Sequence, residues 1–153
     1  MDPTRIHLFI THLPVFGLFL GLIALGYGWF RKDTHVKVVG LAIIIIASVG
    51  GIIAFQTGEA AEETVEKIST VSGDIVEEHE ESAEFTVLFI YALAVLSLAS
   101  LYFELKGMKY SKQLVIAVML VSVITFFAVA RTALLGGKIR HTEIGAQDVK
   151  QLE

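Results

Sequence analysis

Five histidines are the residues of this 153-residue chain best suited to chemistry, because it contains no cysteine at all. That absence excludes disulfides, thiolate metal sites, iron–sulfur ligation, c-type haem attachment and cysteine nucleophiles. Imidazole, carboxylate and guanidinium groups remain. The candidates are His7, His12, His79 and His141, with Arg131, Arg140, Glu59 and Glu63 close to them in sequence order or at the same end of an expected helix; His35 stands apart. Imidazoles drawn from separate helices can ligate a b-type haem, with small residues beside the ring and a base to neutralise its propionates. The same imidazoles with nearby glutamates can bind iron or zinc as a non-haem centre. Hydrolytic chemistry is poorly supported, since no Gly-x-Ser-x-Gly, His-Glu-x-x-His or phosphate-binding glycine loop is present. A carboxylate-bridged di-iron bundle would want Glu three residues before a ligand His, and Val76 occupies that place before His79.

The elements that must position these residues are read from composition. Apolar residues make up 54% of the chain and charged residues only 18%, a balance shifted from a water-soluble domain toward one dissolved in lipid. Uncharged runs cover 6–30, 38–56, 85–103 and 113–135, the last interrupted only by Arg131 near its end. Each approaches or exceeds the roughly 20 helical residues that cross a hydrocarbon core of about 30 Å. The first lacks the basic start and small-residue cleavage site of a signal peptide, so it is expected to remain in the mature protein. The fold class expected is all-α, an integral membrane four-helix bundle forming one domain over 1–153. No repeat of solenoid length and no inverted repeat is visible.

Orientation follows from charge. Arg31, Lys32 and Lys37 lie between the first two spans, and Lys106, Lys109 and Lys112 between the last two. The positive-inside rule puts those loops in the cytoplasm. The segment 57–84 carries ten acidic residues against the single base Lys67, and is expected outside as an acidic helical cap, together with both termini. Asp74 followed by Glu77 has the spacing of a capping box, so a helix that carries His79 is expected to begin there and run into the third span. Four of the five histidines therefore gather at the outer edge of the membrane, where ionisable groups usually mark a site or a pathway.

Helical geometry constrains their pairing. His7 and His12 are five residues apart and point about 140° from each other on a regular helix, so they serve different partners unless Pro14 loosens the turn. Two haems would take His7, His12, His79 and His141 as two pairs, and one haem would take two of them. Gly17, Gly21 and Gly28 form a row that admits another helix or a flat ligand, and Gly50, Gly51 and Ala54 offer a second smooth surface.

Four strings, His7-Leu-Phe-Ile-Thr-His12-Leu-Pro14, Thr57-Gly58-Glu59-Ala-Ala-Glu62-Glu63, His79-Glu80 and Gly136-Gly137-Lys-Ile-Arg140-His141-Thr-Glu143, together resemble a bacterial family of four-span predicted membrane proteins of unknown function. The resemblance covers nearly the whole chain. Relatives joined to Rieske-type or cytochrome domains imply a redox setting.

The expectation is a b-type cytochrome-like electron-transfer protein with one or two haems near the outer face, a carrier more than an independent enzyme. Arg131 and Arg140 would face propionates, and Glu59 and Glu63 would accept imidazole N–H. Its partners would be the lipid bilayer, a quinone and a redox protein docked on the acidic cap, and the chain could act as a homo-oligomer or as one subunit of a complex. A net charge of −4 with scattered bases gives no footprint for nucleic acid. The alternatives are a non-haem His/Glu metal protein and a structural or assembly subunit of a membrane redox complex.

Overall fold

The computed structural model describes residue 7, residues 9–65 and residues 73–140, and for residues 59–65 and 140 it describes the backbone but not the side chains. Four helices follow one another: α1 (His12–Arg31), α2 (Thr34–Val65), α3 (Gly73–Leu105) and α4 (Ser111–Arg140). A helical turn precedes α1, closed by Thr11 N–H donating to His7 O at 3.0 Å. All four helices are long and apolar enough to cross a membrane. They pack in ring order, α1 on α2, α2 on α3, α3 on α4 and α4 back on α1. The bundle is therefore closed, with α1 and α3 standing across it from each other.

Three helices outrun the expected spans. Uncharged runs measure the hydrocarbon thickness, whereas a helix continues as long as its residues favour it. Thus α2 continues past Gln56 through the glutamates to Val65, and α3 starts twelve residues before Phe85, with Asp74 in its first turn. Where it is described, the segment 57–84 consists of these continuations of α2 and α3 and forms no separate cap.

The two short turns at the other end share one design. Lys32 N–H bonds Trp29 O and Asp33 N–H bonds Gly28 O, while Gly107 N–H bonds Glu104 O and Met108 N–H bonds Phe103 O. Each is a Schellman closure, and its left-handed residue is Lys32 (φ 55°) in the first turn and Gly107 (φ 60°) in the second. Asp33 then starts α2 by accepting the His35 and Val36 amides at 2.9 and 3.2 Å.

Around a core of Leu18, Leu25, Leu41, Ile44, Leu93, Val115 and Val118 the packing departs from the soluble pattern. Large apolar side chains such as Phe16, Phe30, Leu88, Val95 and Phe127 point outward, while Ser48, Ser97, Ser100, Ser122, Thr125 and Glu104 are buried. Lipid gives no hydrophobic drive between helices, so association rests on close backbone approach and on polar bonds. The glycine row supplies the first. A Cβ on Gly17 would sit 2.7 Å from Ala47 Cβ, one on Gly21 2.6 Å from Ile44 Cγ1, one on Gly28 2.6 Å from Lys37 N, and one on Gly40 2.5 Å from Leu25 N. The row therefore serves the contact of α1 with α2. Gly50 and Gly51 serve helix packing too, against Leu13 and Ile90.

Polar bonding anchors the turn-bearing end. Lys37 of α2 pairs with Glu104 of α3, whose carboxylate also accepts from the hydroxyls of Thr34 and Ser111, the former at 3.2 Å. The side chains of Lys37 and Glu104 are only 12% and 4% exposed, so neither charge is free to recover full hydration.

Two expectations follow. Gly40→Ala places a methyl against backbone and should cost about 1–3 kcal/mol, lowering the thermal midpoint in detergent; Gly26→Ala, with nothing within 4 Å, should leave it unchanged or slightly raised. Lys37→Met alone strands the carboxylate and should cost about 3–5 kcal/mol, and adding Glu104→Met should recover most of it in the same melting assay.

Candidate functional site

The end of the bundle opposite the two tight turns carries two histidines held in the same way. His7 Nδ1 lies 2.8 Å from Ala54 O on α2, and His79 Nδ1 lies 3.0 Å from Thr132 O on α4. A carbonyl oxygen can only accept, so each Nδ1 must carry the proton, which leaves Nε2 with its lone pair. Four residues further along each helix stands a glycine. A Cβ on Gly58 would be 3.0 Å from His7 Cε1, and one on Gly136 would be 3.1 Å from His79 Cε1. Both rings are half-buried, and they lie within electrostatic range of one another.

This likeness extends through both hairpins. A shift of 72 residues carries His7 onto His79 and sends the buried Pro14, Leu18, Gly21, Leu25 and Gly28 of α1 onto the buried Thr86, Ile90, Leu93, Ser97 and Ser100 of α3. A shift of 78 carries Ala54 and Gly58 onto Thr132 and Gly136, and the buried Gly40, Ile44, Ala47 and Gly51 onto Val118, Ser122, Thr125 and Val129. The chain is therefore two equivalent helical hairpins, each supplying one imidazole. Sequence inspection does not find this repeat because the two halves share shape more than residue type. Apart from His7/His79 and Gly58/Gly136, the facing positions differ.

The carbonyl that holds His79 belongs to a wider network. Thr132 Oγ1 lies 2.8 Å from Ser82 Oγ and 3.0 Å from Thr86 Oγ1, and its hydroxyl also lies 3.2 Å from the carbonyl oxygens of Ser82 and Ala128. These bonds fix the height of α3 against α4. At Ala54 the reinforcement is lighter, with Thr57 Oγ1 at 3.2 Å from the same carbonyl oxygen and at 2.8 Å from Ile53 O.

The remaining candidates are placed differently. His12 is exposed on the outer side of α1, stacked on Phe16 with ring centroids 6.4 Å apart and planes 8° apart, so it does not join the His7 and His79 pair. His12 opens α1, whereas His7 lies in the turn that precedes it. Arg131 is exposed and pairs with Glu78, the residue beside His79, at 3.4 Å. Glu59 and Glu63 lie on the continuation of α2 and Arg140 ends α4, with no side-chain placement described, and His141 lies outside the described residues. Among the described residues no group of three or more His, Asp or Glu side chains is arranged to hold a metal ion.

Thr132, Ser82, Thr86 and Glu104 are not among the site residues that charge and histidine point to, and Lys37 reads there only as a loop charge that sets orientation. The signal that would have found most of them is the alternating three- and four-residue spacing of Ser, Thr and Glu inside apolar runs, visible at 82, 86, 97, 100 and 104 on α3.

Fold and site together define a four-span helical membrane protein with paired imidazoles at one end. The family model "Predicted membrane protein (DUF2231)" matches residues 3–145, and the chain belongs to that family. No curated protein matches the chain, and no solved structure does either.

The tautomer argument gives a direct test. Solid-state 15N NMR above the titration of both rings should show His7 and His79 with protonated Nδ1 and unprotonated Nε2. An Nε2–H signal from either would contradict the hydrogen bond that positions it.

Proposed function

We propose that the protein is a membrane electron-transfer protein in which His7 and His79 would hold one b-type haem at the histidine-bearing end through their Nε2 atoms. The observation that carries this reading is that both rings commit Nδ1 to a helix carbonyl and keep the Nε2 lone pair. Such a hydrogen bond fixes ring orientation and raises ligand basicity in the manner of ligating histidines generally. Gly58 and Gly136 let each ring lie close against a helix backbone, since a Cβ would come within 3.0 Å of His7 Cε1 and 3.1 Å of His79 Cε1. A bare metal ion would want three or four protein donors, whereas haem needs only two, and His7 and His79 can supply them; that difference supports haem over iron or zinc.

Bound haem would supply one-electron chemistry, with its potential set by the axial ligands and the polarity around them. The chain's own groups hold the imidazoles in register and place Arg131, paired with Glu78, at the same rim, where a guanidinium can neutralise carboxylates. His12, turned outward, takes no part in this site, so one haem fits the pair better than two. By the positive-inside rule the basic turns support a periplasmic position for the histidine end in a bacterial cytoplasmic membrane. Electrons would then pass between the quinone pool and an outer redox protein received by the acidic continuations of α2 and α3.

The test is spectroscopic. Protein purified with its native cofactor content should show an imidazole-ligated Soret band, sharp reduced bands and about one haem b per chain by pyridine haemochrome. His7→Ala and His79→Ala should each lose the bands while eluting as monodisperse protein, and His12→Ala should keep them. A colourless wild type that binds no added haem, or a spectrum untouched by either ligand substitution, would overturn the reading.

A further inference from the structure

The contact between α3 and α4 carries a second feature that the paired imidazoles do not use. The bonds Glu104 to Ser111 at one end and Ser82 to Thr132 at the other set the antiparallel register of the two helices. In that register the facing core positions form successive layers about 5 Å apart, since three or four residues rise 1.5 Å each. Every layer holds an oxygen: Glu104 with Ser111, then Ser100, Ser97, Ser122, Thr125, Thr86, and Ser82 with Thr132. Ser97, Ser100, Ser122 and Thr125 are wholly buried.

Isolated hydroxyls are common between membrane helices as polar glue, and two buried ones here behave that way. Ser48 Oγ donates to Ile44 O and Thr125 Oγ1 to Val121 O, each bonding back to its own helix at 2.9 and 2.8 Å. Ser97, Ser100 and Ser122 do not. Their hydroxyls make no hydrogen bond among the described residues although they are fully buried. A buried hydroxyl left without a partner costs about 1–3 kcal/mol, so three in adjacent layers call for a ligand that can donate and accept. Packing does not demand them either. At the equivalent positions of the first hairpin stand Leu25, Gly28 and Ile44, two of them far bulkier than serine. The second hairpin therefore carries hydroxyls where the first carries aliphatic side chains or bare backbone.

We infer that the seam between α3 and α4 is a hydrated path that carries protons across the bundle between Glu104 and the Ser82, Thr86 and Thr132 cluster. Water is the ligand of Ser97, Ser100 and Ser122. One water joining two hydroxyls by bonds of about 2.8 Å spans about 5.5 Å, the spacing of the layers. A proton taken up at the Glu104 carboxylate passes when each oxygen in turn accepts one proton on a lone pair and releases its own to the next. It leaves from the hydroxyl cluster to the surface beside Arg131 and Glu78. Lys37, Thr34 and Ser111 face Glu104 and hold the entry. The path runs alongside His79 and does not use its Nε2, so it stands whether or not that nitrogen ligates a metal.

The experiment uses the full chain in sealed vesicles of phosphatidylcholine and phosphatidylglycerol containing a pH-sensitive dye. Potassium efflux through valinomycin drives protons inward, one charge compensating the other. Wild-type vesicles should acidify several-fold faster than protein-free ones, with no matching sodium leak. The double variant Ser97→Leu/Ser122→Ile, which installs the residue types of the first hairpin, should fall to the protein-free rate. Leu98→Ala, on the exposed face of α3, should retain the wild-type rate. Should the bulky double variant not fold, Ser97→Ala/Ser122→Ala removes the hydroxyls without added volume and should slow acidification markedly. Wild-type flux equal to that of empty vesicles, an accompanying sodium leak, or unchanged flux in both double variants overturns the proposal.

Discussion

A helix bundle immersed in hydrocarbon has no water to escape from, and this one condition shapes the rest of the molecule. Apolar side chains gain as much from lipid as from each other, so the interior is assigned to what lipid cannot accommodate. Here bare backbone and oxygen are set among the core side chains Leu18, Leu25, Leu41, Ile44, Leu93 and Val118. In the first hairpin glycines let α1 and α2 approach until a single added methyl would meet a main-chain nitrogen. In the second, hydroxyls and one carboxylate join α3 to α4. Both solutions produce hairpins of the same shape from different residues, and the shared shape brings one imidazole from each to the same end.

The fold was largely legible before any coordinates. Run length and charge asymmetry report membrane thickness and sidedness directly; the last three expected spans fall within α2, α3 and α4, and the first, 6–30, overlaps α1 from His12 onward. Their ends were less legible, because glutamate-rich sequence such as 59–63 prolongs a helix as readily as it signals a water-exposed loop. Gly17, Gly21 and Gly28 were recognisable as a row, but a row of glycines looks the same whether it faces a helix or a ligand. Only the partner positions Ala47, Ile44 and Lys37 decide the matter.

The candidate site was half legible. Histidines stand out in an apolar sequence, and a divergence of His7 and His12 is expected from arithmetic on a helix. What holds His7 and His79 in place does not, because the acceptors are the carbonyls of Ala54 and Thr132, which every residue possesses and no motif marks. Glu104 was hidden for a related reason. It sits at the last turn of a span, one position beyond an uncharged run, where a carboxylate usually reaches solvent, and its burial depends on Lys37 arriving from a different helix.

Each half of the molecule is closed by a tight turn at the end away from the imidazoles. Each imidazole is fastened to a carbonyl within its own half, and no hydrogen bond described here links one ring to the other half. A small rocking of one hairpin against its counterpart, pivoting near the buried Lys37 and Glu104 pair, would alter the separation of the two rings while leaving both of their anchoring bonds intact. The geometry at the imidazole end is thus set by how the halves lean together, and a protein or lipid that wedges between them there would act on that separation as on the jaws of a clamp.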